Sequence, residues 1–446
     1  MRAVLFLVLL FFISSCSYKY PYSTIKDERE LKQNALAYVN PKQADKILIN
    51  PEYQKLIDEK YNEKFFKPWT REKAGYRKKD ISWGFRLYKN RDIYGENKRK
   101  ISKEWIKNLQ KNADLESYPN FNKRGITVVN SDLRVLPTHK PVFYSFELAG
   151  EGFPFDYMQN SAIYAGTPVF ISHVSKDGEW YLVEAPFAAG WVPAKDVAIV
   201  DKEFIDNYKR EKFIAFVKDE ISVFDEDRIF RFKGKIGSIY PLTSEDENSY
   251  HIYIPVKDTD GTAILRFGIV PKEKAVIKPL PITETNIAKI INELLNQPYG
   301  WGGLYRNRDC SATLKDLFTP FGIWLPRNST AQAKAGLFIS LKDLTISQKE
   351  KLISESGFPF MTLLWMRGHI MLYIGKKDDD LLIFHNFWGI KTKDFWGKEG
   401  RFVVGKAVIT TLRPEGDLPN IDRKRGIFLK RLLGMSILMP PRYMIK

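Results

Sequence analysis

"YGWGGLYRNRDCSATLKDLF", residues 299 to 318, holds one of only two cysteines in a chain of 446 residues. A glycine-rich turn leads into Cys310, and a helical pattern follows it. Asp309 is placed to cap that helix, its carboxylate accepting a backbone N–H of the first turn. Cys310 then lies in the first turn, where the helix dipole favours an anion. On this reading the thiol has a lowered pKa and a larger thiolate fraction, which nucleophilic attack requires. The competing reading is a buried structural cysteine, the commoner fate of a lone thiol. The polar, Gly-rich approach and the preceding "NRD" do not resemble a core segment.

A thiolate nucleophile needs a base, and the chain has five histidines: His139, His173, His251, His369 and His385. The last two lie downstream of Cys310 in "GHIMLYIG" and "DLLIFHNFWG", two strand-like runs joined by "KKDDD". His369 opens the first strand at a glycine, and His385 is expected to end the second. Antiparallel pairing brings those ends together, so that His385 can hold one imidazole nitrogen of His369 and leave the other facing the thiol. A metal held by the two histidines is the rival reading. No suitably spaced carboxylate or second cysteine completes such a site, so no metal or other cofactor is expected.

The surrounding chain reads as several domains. Its 44% hydrophobic and 28% charged residues are those of a globular protein. The high aromatic content, 14%, together with 24 prolines and 28 glycines, points to β-rich modules with many turns. Lys and Arg number 70 against 53 Asp and Glu, a formal charge of +17 that suits a polyanionic partner. With no zinc-finger spacing and no phosphate-binding loop, nucleic acid is the least favoured partner; an anionic membrane surface or wall polymer fits better.

Residues 17–124 are polar, Lys-rich and helical in pattern, and read as a wrapping segment. From residue 125 short alternating runs such as "GITVVN", "TPVFISHV" and "EWYLVEA" predict a small β-barrel over 125–201. A second set, including "YHIYIPVKD" and "AILRFGIVP", predicts another over 202–281. Residues 282–446 pass from helix to Cys310-bearing helix to strands, an α+β order. For the basic tail, 421–446, a solvated end with a few packing residues is preferred over an amphipathic surface helix.

At the other end, Arg2 precedes the apolar run Ala3 to Ile13, then Ser14, Ser15 and Cys16. This is a secretory signal, too short to span a membrane as a helix. Small residues before a cysteine resemble the lipobox of bacterial lipoproteins, which implies acylation of Cys16 and removal of residues 1–16. An ordinary secretory signal with a chance cysteine is the alternative. Ser17 after the cysteine favours outer-membrane sorting, and hence a periplasmic, lipid-anchored protein.

The motifs "PYGWGG", "RDCSA", "LPRNS", "GHIMLYIG" and "HNFWG", in that order, resemble the NlpC-type cysteine peptidases of bacterial cell walls, a permuted papain-like fold. Upstream, "KFFKPW", "DLRVLPT", "FPFDYMQNS", "SKDGEWYLV" and "GWV" look like the clip segment and bacterial SH3-like domain of the multi-domain branch. The resemblance covers most of residues 60–412. It departs at "DCSA", where most relatives have "DCSG", a change of little consequence on a helix. The resemblance implies Cys310 as nucleophile, His369 as base, His385 as its orienting partner and Tyr299 as a substrate-positioning residue. It further implies hydrolysis of the γ-D-glutamyl–diamino acid bond in peptidoglycan stem peptides. In the multi-domain branch the first SH3-like domain restricts the cleft to stems with a free N-terminal L-Ala. Asp156 and Tyr157 are then the residues for the amine, and Arg134 for the D-glutamate α-carboxylate. A monomer is expected. Two other functions fit the same chain: a non-catalytic wall-binding lipoprotein, and an amidase acting between muramic acid and L-Ala.

Overall fold

The structure, a computed structural model, describes residues 24–88, 91–440 and 443. The signal-like run and Cys16 lie outside the described residues. Helices begin where the sequence supplies caps: Asn50 accepts from the N–H groups of Glu52 and Tyr53 ahead of Pro51–Phe65, and Thr283 accepts from Asn286 ahead of Glu284–Leu294. No helix among the described residues is long and apolar enough to cross a membrane.

The N-terminal segment is a strap across the rest of the molecule. Gln54 Nε2 donates to the carbonyls of Leu280 and Phe321, Trp69 Nε1 to that of Gly125, and the N–H of Gly75 to Glu184. Tyr61, Phe65, Phe66 and Trp69 share one apolar cluster with Phe204, Tyr208, Phe213 and Ile239. These aromatic residues are therefore buried in part against the second β module, while Phe85, Tyr88, Ile93, Trp105 and Leu109 further along the segment also pack with one another.

A seven-stranded antiparallel sheet with Lys123–Thr127 as its first strand and Val197–Ile199 as its last in sequence curls around Leu133, Ile163, Val169, Ile171, Val183 and Val192. A second unit combines a five-stranded sheet with the two-stranded ladder Ile221–Phe224 and Phe230–Gly234, around Phe216, Phe232, Tyr240, Ile252 and Ile254. Both are small all-β modules of the kind the alternating runs predict.

The C-terminal unit sets the helices Glu284–Leu294 and Cys310–Phe318 on a six-stranded antiparallel sheet. Its spatial order is Leu337–Ser340, Leu432–Ile437, Thr362–Met366, His369–Lys377, Asp380–Lys393 and Glu399–Thr411. Period-two alternation assigns the faces: Leu372 and Ile374 pack with Leu314, Leu317 and Phe318 under the helices, while Met371 and Tyr373 pack with Ile383 and Val408 on the other side.

Two expectations are corrected. The His385 strand does not end at His385 but runs on to Lys393, pairing with Glu399–Thr411 in a long hairpin. The basic tail is neither a surface helix nor a solvated end over residues 428–437. Leu432–Ile437 is an internal strand between Thr362–Met366 and Leu337–Ser340, because "LLGMSI" carries enough apolar side chains to be covered on both faces.

Candidate active site

The glycine-rich turn has a steric cause. Gly302 and Gly303 lie at φ +59° and +87°, and a Cβ on either would sit 2.5 Å from the Gln159 carbonyl oxygen or 2.4 Å from the Ala162 nitrogen. Only glycine lets this turn adopt that backbone and press against strand Gln159–Ile163 of the first β module. The turn delivers the chain to Asp309, whose carboxylate accepts from the N–H of Ala312 at 2.9 Å and starts helix Cys310–Phe318.

Asp309 is also the partner of Arg327. The guanidinium donates to both carboxylate oxygens, at 3.0 and 2.8 Å, and its Nε donates to Ser161 Oγ at 2.7 Å in the first β module. Burial opposes ionisation of Asp309, but Arg327 and the hydrogen bonds from Ala312 and Ser311 outweigh it and hold the carboxyl below its usual range.

Cys310 is 8% exposed, and its sulfur lies against the backbone N–H of Ile370, the residue after His369. The expectation of a lowered thiol pKa is overturned in the ligand-free state. Burial pushes the thiol up to about 12, and the neighbouring Asp309 carboxylate adds to the rise. The Ile370 N–H and Arg327 act the other way and are outweighed. Desolvation of the thiolate exceeds what the helix start supplies.

His369 opens its strand as expected, and its Nε2 is 2.9 Å from His385 Nδ1. His385 Nε2 is in turn 3.1 Å from Thr410 Oγ1. Phe387 stacks on the His385 ring at 4.2 Å between centroids, and Phe428 meets it edge-on at 5.9 Å. This apolar casing brings His369 down to about 3, with Arg431 adding to the fall and Asp309 opposing it. It holds His385 well below the ordinary histidine range, with the neighbouring His369 adding to the effect of burial. At neutral pH the resting site is thus an uncharged thiol beside an uncharged imidazole pair.

The other histidines are engaged elsewhere. His173 contacts the Ala113 carbonyl at 2.8 Å, His251 contacts Asp246 at 2.8 Å, and His139 lies 4.6 Å from the Trp180 ring.

Aromatic rings lead from the first β module to the thiol. Tyr144 meets Tyr157 at 3.9 Å, Tyr157 meets Trp301 at 6.2 Å, Phe155 lies 5.1 Å from Trp301 and 6.0 Å from Trp388, and Trp388 lies 6.2 Å from Tyr299. Burial and the nearby Cys310 and Asp309 raise the Tyr299 phenol well above its ordinary pKa. Tyr157 and Tyr299 are therefore placed along one approach.

Asp156 and Arg134 are not available on that approach, and the roles expected for them are corrected. Asp156 is 1% exposed; one oxygen accepts from Arg134 at 2.8 Å and the other from the N–H groups of Val142 and Met158 at 3.0 and 2.9 Å. The remaining Arg134 donors go to Gln159 and to the carbonyls of Thr138 and Lys140. The pair ties the loop together from within. A carboxylate that touches these rings is that of Glu151, which accepts from the Tyr157 hydroxyl at 3.1 Å.

Sequence reasoning missed Arg327 and Thr410. Arg327 carried a signal, an arginine within "LPRNS" able to balance the aspartate before the cysteine. Thr410 carried none, since a threonine in "AVITTL" is what any strand uses.

Residues 296–391 match the family model NlpC/P60, and residues 4–118 match the model described as the NLPC_P60 N-terminal stabilising domain. Residues 141–193 match an SH3 domain of SH3b1 type, and 201–247 one of SH3b2 type. Among solved structures, an NlpC/P60 endopeptidase from Photobacterium damselae subsp. piscicida is 30% identical with a TM-score of 0.81, over 93% of this chain and 98% of that one. An NlpC/P60 family protein from Bacillus cereus is 16% identical with a TM-score of 0.49, over 71% of this chain and 100% of that one. No curated protein matches the chain.

Proposed function

This chain belongs to the NlpC/P60 family, and on that premise we propose that it is a peptidoglycan hydrolase, a cysteine endopeptidase cutting the γ-D-glutamyl–diamino acid bond of cell-wall stem peptides. The observation that carries the reading is the hydrogen-bonded histidine pair whose first member adjoins the Cys310 sulfur site, at the start of a helix.

The chemistry follows from a neutral resting pair. As the sulfur attacks the amide carbonyl, its proton passes to His369 Nδ1, the nitrogen that His385 does not engage. The carbonyl oxygen becomes an oxyanion. The Cys310 N–H, in the first turn and without an intrahelical acceptor, is suited to receive it. The imidazolium then protonates the leaving amine of the diamino acid, leaving a thioester between the Cys310 sulfur and the glutamyl γ-carboxyl carbonyl. Water, losing its proton to His369, attacks the thioester and releases the glutamyl carboxylate and the thiol.

A preference for stems with a free N-terminal L-Ala fits the aromatic approach, with Glu151 and Tyr157 holding the amine in place of the buried Asp156. An acylated nitrogen carries no charge and leaves that carboxylate unpaired. Export, with Cys16 acylated and the protein anchored on the periplasmic face of the outer membrane, completes the proposal. Cys310→Ala should fold and cleave no stem peptide; full activity in that variant contradicts the reading. Metabolically supplied palmitate should label the wild type and not Cys16→Ala; an unlabelled wild type rules out the anchor.

A further inference from the structure

The protons of the histidine pair can be assigned from hydrogen bonds alone, and the assignment ends on a residue outside the cysteine–histidine–histidine set. Thr410 is fully buried, with its Oγ1 2.8 Å from the Thr411 carbonyl and 3.1 Å from His385 Nε2. A hydroxyl has one proton, and a carbonyl only accepts. The hydroxyl therefore donates to Thr411 and presents a lone pair to His385. His385 must carry its proton on Nε2, which makes its Nδ1 an acceptor. The 2.9 Å contact to His369 is then filled by a proton on His369 Nε2. One nitrogen is left without a proton, His369 Nδ1.

We propose that Thr410 is a positioning residue for this site, its hydroxyl fixing the His385 tautomer and, through it, leaving His369 Nδ1 free to act as base. The inference rests on the reading of Cys310 as nucleophile. Phe387 and Phe428 supply no polar group to the pair, so without the hydroxyl the reversed arrangement becomes accessible. That arrangement turns an N–H of His369 toward the thiol and removes the base.

Register and edge both support the assignment. Thr410 pairs with Ile383 and Val408 with His385, so Thr410 and His385 are diagonal neighbours on one face. Strand Glu399–Thr411 is the outer edge of its sheet, and the N-terminal strap covers it. Asp27 accepts from the N–H and hydroxyl of Thr411 at 2.7 and 3.0 Å, and the Gln33 amide both donates to and accepts from the backbone of Ile409 at 2.9 Å. The strap thus clasps the residues on either side of Thr410.

The test uses the whole protein. In histidine-selective 15N spectra of the ligand-free wild type, His385 and His369 should both be protonated on Nε2 and not on Nδ1. This arm needs no substrate, so its outcome is separate from whether stem peptides are cleaved. Thr410→Val should lower kcat about tenfold or more at unchanged KM, the effect of leaving a buried N–H without an acceptor, and should shift part of His385 to the Nδ1 tautomer. Thr410→Ser should restore kcat to within about threefold of the wild type, a smaller loss than that of one hydrogen bond. A wild-type His385 protonated on Nδ1 overturns the proposal, as does Thr410→Val with wild-type kcat, or Thr410→Ser as slow as Thr410→Val.

Discussion

At Cys310 two effects oppose one another. The helix start and the Ile370 N–H favour the thiolate, while burial and the Asp309 carboxylate disfavour it, and the second pair prevails. Iodoacetamide should therefore label Cys310 in the ligand-free protein more slowly than an unhindered peptide thiol. Faster labelling would show a preformed thiolate–imidazolium pair. The same account shapes the pH dependence. With the thiol near 12 and His369 near 3, kcat/KM should show no inflection around pH 6.5. Stability should behave differently. Unfolded His369 takes up a proton below about 6.5 and the folded one resists until about 3, so stability falls as pH drops through that window, and His385, also held below its ordinary range by burial, acts in the same direction. For the pair itself, His369→Ala removes the base, and His385→Ala leaves a base with no fixed tautomer. Loss of His369 should be at least as damaging as loss of His385, and each should cost on the order of 100-fold in kcat. Equal wild-type rates in His385→Ala would contradict the relay.

The helix that carries the thiol was legible in the sequence because its signals are local: a cap, a glycine turn, a helical period. Asp309 does cap it, but the sequence did not show that the same carboxylate is held by an arginine 18 residues on. Asp309→Asn keeps a cap acceptor and removes the charge facing Arg327, which is itself mostly buried. It should destabilise the protein by about 2–3 kcal/mol in denaturant titrations. Pairing it with Arg327→Gln should recover part of that loss; strict additivity of the two would show that they do not interact. The tail was misread for the opposite reason. Its lysines and arginines suggested a surface, whereas Leu432–Ile437 gains its place from two flanking strands distant in sequence, and pairing between distant strands leaves no local mark. The His385 strand was cut short in the same way, since its continuation depends on pairing with Glu399–Thr411.

Across the whole molecule the domains meet on buried charge. Arg308 is 2% exposed and donates to Asp219 and the Ile236 carbonyl in the second β module, to Asp316 on the Cys310 helix, and to Gln297. Tyr164 of the first module donates to the same Asp316 at 2.7 Å. Burial opposes ionisation of Asp219, but Arg308 outweighs it and holds the carboxyl at about 2. Its contribution, on the order of 2 kcal/mol, is present above the ordinary carboxylate range and is lost as pH falls toward 2. Asp219→Asn should lower Tm at pH 7 and flatten its fall below pH 4; an unchanged Tm at pH 7 would show that the junction is not held by this pair. The proposed catalytic set Cys310, His369 and His385 could be put forward from the sequence because few residue types can do that chemistry and each occurs rarely here. Arg134 and Asp156 were misplaced because a charged pair looks the same in sequence whether it faces a ligand or closes on itself. The central claim, that this site cuts the γ-D-glutamyl–diamino acid bond, is tested most directly by mass analysis of products from L-Ala-γ-D-Glu-diamino acid peptides and from the same stems joined to muramic acid. The account predicts L-Ala-D-Glu and a free diamino acid from the free peptide, slow cleavage of the muramyl-linked stem, and no products with Cys310→Ala. Release of intact stem peptide from muramic acid, or undiminished products with Cys310→Ala, would contradict it.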